Sequence, residues 1–311
     1  MAISASMVKE LREMTGAGMM DCKKALTETD GNMDEAVELL RKSGAAKAEK
    51  KAGRIAAEGI CRVAVDGDQT AVVVEVNSET DFVAKNEVFQ TYVETVAKQA
   101  LASNASDVEG LMEEAWIDDP SKTVKEALVE KIATIGENLT IRRFAKVTAD
   151  NGCVVTYLHG GGRIGVIVKA ETGVVNDAVK EALSNVAMQV AAMYPEYVST
   201  DEISEEYKEH EKEILMAQAQ ADPANANKPE NIIEKMIIGR LNKELKEKCL
   251  LEQIYVKAEN KENVAKYLEA VGKANGTDLK VTQFVRFETG EGIEKKEEDF
   301  AAEVAAQMAG N

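Results

Sequence analysis

Histidine is almost missing from this chain: in 311 residues there are only His159 and His210, in segments expected to be separate modules. With no Ser–His–Asp order in view, that leaves little material for nucleophilic or general acid–base catalysis. The four cysteines, Cys22, Cys61, Cys153 and Cys249, stand far apart with no Cys-x-x-Cys pair. This excludes a disulfide framework and a metal-ligand spacing, and it suits a reducing cytosol. Aromatic residues amount to 5%, so the core must be knit from Ala, Val, Ile, Leu and Met. No apolar run approaches the ~20 residues that a membrane span needs. The start, Met1-Ala2-Ile3-Ser4, is not a charged segment followed by an apolar one, so no signal or transit segment is expected. Positive charge is in short supply too: 38 Lys and Arg face 55 Asp and Glu, a net charge of -17. Phosphate would be repelled over most of such a surface, which argues against a dedicated nucleic-acid binder. It is consistent with docking on other proteins through local patches.

What is present is a 45% hydrophobic content, enough for two or three compact units. The most informative stretch is Thr80-Asp81-Phe82-Val83-Ala84-Lys85-Asn86. It follows the apolar run Ala71-Val72-Val73-Val74-Glu75-Val76, read as a buried strand, and precedes a helix with Val83, Phe89, Val93 and Val96 on its apolar side. Phe82 thus falls on a corner between sheet and helix. It is either a recognition tip held by rigid elements or an aromatic that caps the core.

Residues 1–44 read as three short helices, the third opening at Asn32 with Glu35 placed for a capping box and stopping at Ser43-Gly44. A core this thin leans on a partner or on the rest of the chain. The Lys-bearing stretch from Ala45 to Arg54 reads as a solvated helical linker ahead of a basic contact surface. A hairpin follows, Ile60–Val65 and Ala71–Val76 around Asp66-Gly67-Asp68. Then come a helix from about Ala84 to Leu101, helices over Val108–Trp116 and Thr123–Ile135, and a strand over Leu139–Val147. The plan recurs: strands over Val154–Leu158 and Ile164–Lys169, a helix over Asn176–Met193 and a late strand over Leu279–Phe287. Into the second unit is set a charged insertion, about 200–250. Its first helix steps through Ile203, Tyr207, His210, Ile214, Ala217 and Ala221, and Ile233, Met236, Ile237, Leu241 and Leu245 bring a second helix back. That is the pattern of an antiparallel coiled-coil hairpin, either structural or an arm for a partner or a second copy. Residues 295–309 form a short amphipathic helix that must pack back or dock.

The Gly160-Gly161-Gly162 run with Gly165 lacks a following Lys-Ser or Lys-Thr and joins two strands, so it reads as a tight hairpin and not a phosphate cradle. Asp66 and Asp68 lack calcium-loop spacing. The expectation is therefore no catalytic residue, no cofactor and no metal. The fold class expected is α+β: a three-helix bundle, two repeated antiparallel α+β subdomains with an inserted coiled-coil hairpin, and a C-terminal helix. Boundaries are set at 1–55 (bundle and linker), 56–140 and 141–290 (the two subdomains), and 291–311 (terminal helical module).

Several stretches resemble the translation elongation factor Ts family. They are the opening run Val8 to Leu26, the Thr80–Asn86 motif, Ile135-Gly136-Glu137-Asn138 with Ile141-Arg142-Arg143, and His159 to Val166. Near the end, Arg286-Phe287-Glu288, Gly290 to Glu294 and Asp299 to Ala305 are similar again. The matches are in order and run from end to end. The resemblance implies a cytoplasmic guanine-nucleotide exchange factor for elongation factor Tu, in its GDP-bound and nucleotide-free forms, with no catalytic chemistry of its own. It implies a UBA-like amino-terminal bundle. It also implies that Thr80, Asp81, Phe82 and Val83 form a wedge acting on the partner's Mg²⁺ site, and that Arg12, Met19, Met20 and Lys23 dock the bundle. Ile135 and Gly136 would border the wedge, His159 would face the partner's third domain, and Phe300 with Val304 would hold the terminal helix on the GTPase domain. Nucleic acid and membrane are not expected partners, and self-association through the coiled coil is open. The rival reading is a scaffold that binds without promoting exchange.

Overall fold

In the computed structural model, residues 3–225 and 228–294 are described; Phe300 and Val304, and the terminal helix expected over 295–309, lie outside them. The chain is mixed α+β: amino-terminal helices, then antiparallel sheets with helices packed on them. The opening helices are α1 (Ala5–Thr15), α2 (Met19–Glu28) and α3 (Met33–Lys51). Ser4 caps α1 by accepting from the Met7 N–H, and Asn32 caps α3 by accepting from Asp34 and Glu35. Val8, Leu11, Cys22, Ala25, Leu26 and Ala36 meet as a small core. α3 does not stop at Ser43-Gly44; it continues through the stretch expected to be a linker. Gly44 is there for proximity: a β-carbon on it would sit 3.3 Å from the Ala133 Cβ, so it lets α3 lie against the helix that carries Ala133.

The body is built from two three-stranded sheets. β1 (Glu58–Asp66), β2 (Thr70–Ser78) and β5 (Thr140–Thr148) form one in the order β1-β2-β5. β6 (Cys153–His159), β7 (Ile164–Thr172) and β8 (Leu279–Glu288) form the other in the order β6-β7-β8. All pairings are antiparallel. The sheets face each other through Cys61, Ala71, Val73, Val147, Val154 and Ile167. Helices cover the outer faces. α5 (Glu87–Ala102) and α7 (Val124–Ile135) pack Phe89, Val93, Val96 and Leu128 on Val72, Val74 and Val76. α8 (Asp177–Met193) and α11 (Val264–Ala274) pack Val179, Leu183, Val186 and Leu268 on Val166, Val168 and Ala170. The central strands β2 and β7 are therefore buried on both faces, which is why their sequences are mostly apolar, interrupted by Glu75 in β2 and Lys169 in β7.

Three expectations need correction. The helix expected from Ala84 is split into α4 (Asp81–Ala84) and α5, because Asn86 caps α5 by accepting from the Val88 N–H. The helix expected over Val108–Trp116 ends early: α6 (Val108–Glu113) gives way to a short ribbon of β3 (Ala115–Trp116) and β4 (Asp119–Thr123). The inserted pair, α9 (Glu205–Ala221) and α10 (Glu230–Lys248), is antiparallel as expected but rotated. Leu215 is the buried residue of α9, against Ile237, Leu241 and Leu245, whereas His210, Ile214, Ala217 and Ala221 are exposed. No described helix is long and apolar enough to cross a membrane.

Candidate functional site

The segment Ser78–Lys85 leaves the end of β2, makes the single turn of α4, and enters α5 at Asn86. Its inner side is conventional: Ala84 is buried and Val83 packs on the core beneath the outer helices. Its outer side is not. Phe82 is 81% exposed, so the alternative that it caps the core is set aside. Leaving so large an apolar side chain in water forgoes roughly 1.5–3 kcal/mol of burial.

The turn is held by its neighbours. Thr80 caps α4, its Oγ1 accepting from the Val83 N–H at 3.3 Å. Lys85 Nζ donates to Asp81 Oδ2 at 2.6 Å, and that hydrogen bond lowers the Asp81 carboxyl below its usual range. The firmest attachment comes from the loop after α7. Gly136, with φ +90°, ends α7 in the left-handed conformation that favours glycine, and the next residue, Glu137, reaches across to the corner. Its Oε2 accepts from the Glu79 and Thr80 N–H groups at 3.0 and 3.1 Å, and its Oε1 accepts from Thr80 Oγ1 at 2.6 Å. In return the Asn138 N–H donates to Glu79 Oε1 at 2.6 Å, and Asn138 Nδ2 donates to the Arg54 carbonyl at 2.8 Å. Of the sequence motif around Ile135 and Gly136, it is Glu137 and Asn138 that reach the Thr80–Val83 corner. Ile135 itself packs partly into the core.

The bundle presents a second exposed patch. Met19 is 59% and Met20 74% exposed on the first turn of α2, with Met14 exposed at the end of α1. Arg12 and Lys23 are exposed beside them in sequence. The bundle is fixed to the body by α3 against α7 and by Arg41, whose Nε lies 3.8 Å from Glu130. His159 belongs elsewhere, at the exposed end of β6, where Tyr157 Oη lies 3.0 Å from its Nδ1. The turn after it docks on β1: the Cys61 N–H donates to the Gly162 carbonyl at 2.6 Å, and Arg62 Nη1 donates to that of Gly161 at 3.2 Å.

A buried charge cluster ties the two sheets together. Glu75, in the middle of β2, is 0% exposed. It accepts from Arg142 Nη1 at 3.0 Å, Arg143 Nε at 2.6 Å, Asn77 Nδ2 at 3.1 Å and the Gly290 N–H at 2.8 Å. Arg143 extends the cluster to Glu291 at 3.1 Å and stacks over the Phe287 ring. Burial works against the Arg143 charge, but Glu75 and Glu291 outweigh it and the pKa is raised. Gly290 has φ +74°, and a β-carbon on it would collide with the Ala57 carbonyl. These residues include the Arg142-Arg143 and Arg286–Glu291 motifs, which serve here as a clasp. Among the described residues no group of three or more His, Cys, Asp or Glu is arranged to hold a metal ion.

The described residues thus present an exposed aromatic on a braced turn and exposed methionines on a small bundle. The family model described as Elongation factor TS matches residues 79–291, from the corner to the clasp. The Elongation factor Ts of Clostridioides difficile (strain 630) is 56% identical over 308 residues, covering 98% of this chain and 99% of the relative. Those of Clostridium botulinum strains 657 (Type Ba4) and Alaska E43 (Type E3) are 51% and 50% identical over 307 residues, covering 98% of this chain and 98% and 99% of the relatives. With a family model spanning more than half its length and relatives matched from end to end, the chain belongs to the elongation factor Ts family.

Proposed function

We propose that Phe82 is the wedge through which this chain, a nucleotide exchange factor for elongation factor Tu in translation elongation, forces GDP from its partner. The observation that carries the proposal is the 81% exposure of Phe82 on a turn whose backbone is fastened from behind. Thr80 and Asp81 shape the turn, and Val83 anchors it. In this reading the wedge displaces a neighbouring element of the partner's Mg²⁺ site. Mg²⁺ demands near-ideal octahedral geometry, so a small displacement weakens the ion, exposes phosphate charge and loosens the nucleotide. Linkage makes the coupling mutual: by whatever factor the chain weakens a nucleotide's binding, that nucleotide weakens the binding of the chain, so incoming GTP displaces the factor. The chain does this without catalytic chemistry of its own, in the bacterial cytoplasm.

Docking is assigned to Arg12, Met19, Met20 and Lys23 on residues 1–55, read as a UBA-like bundle, with Ile135 and Gly136 bordering the wedge. His159 and its turn are assigned to the partner's third domain, and Phe300 with Val304 in 291–311 to the GTPase domain. Residues 56–140 and 141–290 are read as two copies of one plan. The support is that β1, β2, α5 and β5 and, in turn, β6, β7, α8 and β8 follow the order strand, strand, helix, strand, with the strands of each sheet in chain order; the first copy's last strand, β5, runs past residue 140 to Thr148. The pair α9–α10 is read as the coiled-coil insertion.

The test is release of a fluorescent GDP analogue from elongation factor Tu, with and without this chain and with and without Mg²⁺. Strong acceleration that shrinks when Mg²⁺ is already absent is the expected result. Tight binding without acceleration would replace it by a scaffold role.

A further inference from the structure

α4 is a single turn of four residues, too short to hold its own shape in water, yet a wedge delivers only as much displacement as it does not itself absorb. Its stiffness must therefore come from outside. The exposed Lys85–Asp81 pair contributes little, as surface pairs do. Val83 and Ala84 fix depth but leave the entry into the turn free. That entry, Glu79–Thr80, lies beyond the β2 ladder, so its two N–H groups have neither strand nor helix partners. Both donate to the Glu137 carboxylate, which also receives the Thr80 hydroxyl. Charge-assisted bonds of this kind are about twice as strong as neutral ones. Glu137 is itself aimed by the left-handed Gly136 and by the reciprocal Asn138-to-Glu79 bond.

We infer that Glu137 is the positioning residue of the exchange reaction: it touches neither nucleotide nor metal, but it locks the Phe82 turn in the shape that pushes. The inference rests on the reading of Phe82 as the wedge. It separates two quantities, because docking through Met19 and Met20 does not pass through Glu137 whereas the push does. The half-saturating concentration of the factor should stay put while the limiting rate of nucleotide release falls.

The test compares Glu137→Asp, Glu137→Gln and Phe82→Ala with the natural chain, measuring stopped-flow release of a fluorescent GDP analogue from elongation factor Tu over a range of factor concentrations. Aspartate keeps the charge but withdraws the carboxylate by one methylene; glutamine keeps the reach and gives up the charge. Both Glu137 variants are expected to lower the limiting rate about tenfold, with half-saturation within about twofold, because aspartate falls short of the turn and the glutamine amide gives up the charge and turns a donor toward groups that themselves donate. A full limiting rate in Glu137→Asp overturns the inference. So does a loss confined to Glu137→Gln, which would assign Glu137 a charge contact with the partner. If Phe82→Ala is itself as fast as the natural chain, the wedge reading falls and the inference falls with it. If Phe82→Ala is slow and Glu137→Asp is not, only the inference falls.

Discussion

Phe82 and Val83 are adjacent, equally apolar and opposite in circumstance: one is in water, the other against the core. Removing the Phe82 ring therefore opens no cavity, and Phe82→Ala should shift the free energy of unfolding by no more than about 0.5 kcal/mol, as exposed substitutions do. Its cost belongs to the complex. Burial of the ring against a partner is worth roughly 1.5–3 kcal/mol, and about 1.4 kcal/mol corresponds to tenfold in rate, so release should slow by about ten- to a hundredfold. Denaturant titration and GDP-release kinetics on one preparation check both numbers, and a large loss of stability would return Phe82 to the core. The corner was legible in sequence because strand, acid, aromatic and helix stand in one short run. Glu137 was not, although its motif was visible, because it meets Thr80 across 57 positions of chain. Local spacing carries no information about a contact at that separation. The one signal was the acid directly after a helix-ending glycine.

At the scale of elements, legibility depended on how many faces a segment buries. Helices with one apolar stripe stood out, and so did strands buried on both sides. α9 misled because Ile214, Leu215 and Met216 are consecutive apolar residues, so a 4-3 count runs through Ile214 as readily as through Leu215. The choice is made by α10, against which Leu215 is buried while Ile214 is turned outward. Leu215→Ala should therefore destabilise the helical pair by about 2–5 kcal/mol, the range for a buried Leu, and Ile214→Ala by well under 1 kcal/mol. Amide hydrogen exchange along Glu205–Lys248 distinguishes them: protection drops in the first variant only, and the reverse pattern would restore the heptad register. α11 has the opposite history. Val264, Leu268 and Val271 make a clear stripe, but the sequence plan passes from the inserted helical pair straight to the late strand and leaves α11 out. The β3–β4 ribbon, with two and five residues, is too short to show any period.

Across the whole molecule the stacked sheets pose a charge problem, since Glu75 lies between them without access to water. Its sequence neighbourhood, valine on nearly every side, gives no hint of the compensation. That comes from Arg142 and Arg143 on β5 and from Gly290 beyond β8, in the stretch that closes the second sheet. Truncation as Glu75→Ala leaves two guanidinium groups facing a partly dry cavity, and breaking such a buried pair costs about 3–5 kcal/mol. The clasp also has a pH dependence with a definite sign. Burial would raise the Glu291 pKa, but hydrogen bonds from Tyr194 and Arg143 and the charges of Arg143 and Arg286 prevail, and it lies below its ordinary 4.5. A carboxylate depressed on folding contributes stability that is complete above its unfolded pKa and is lost as pH falls through the lower, folded value. Glu291→Gln should therefore reduce stability at pH 7 and flatten the acid side of the stability profile below about pH 4.5. Urea midpoints measured from pH 7 to pH 3 decide it. Parallel profiles for the variant and the natural chain would show that Glu291 is no more than a surface charge, and that Glu75 with its two arginines holds the sheets without it.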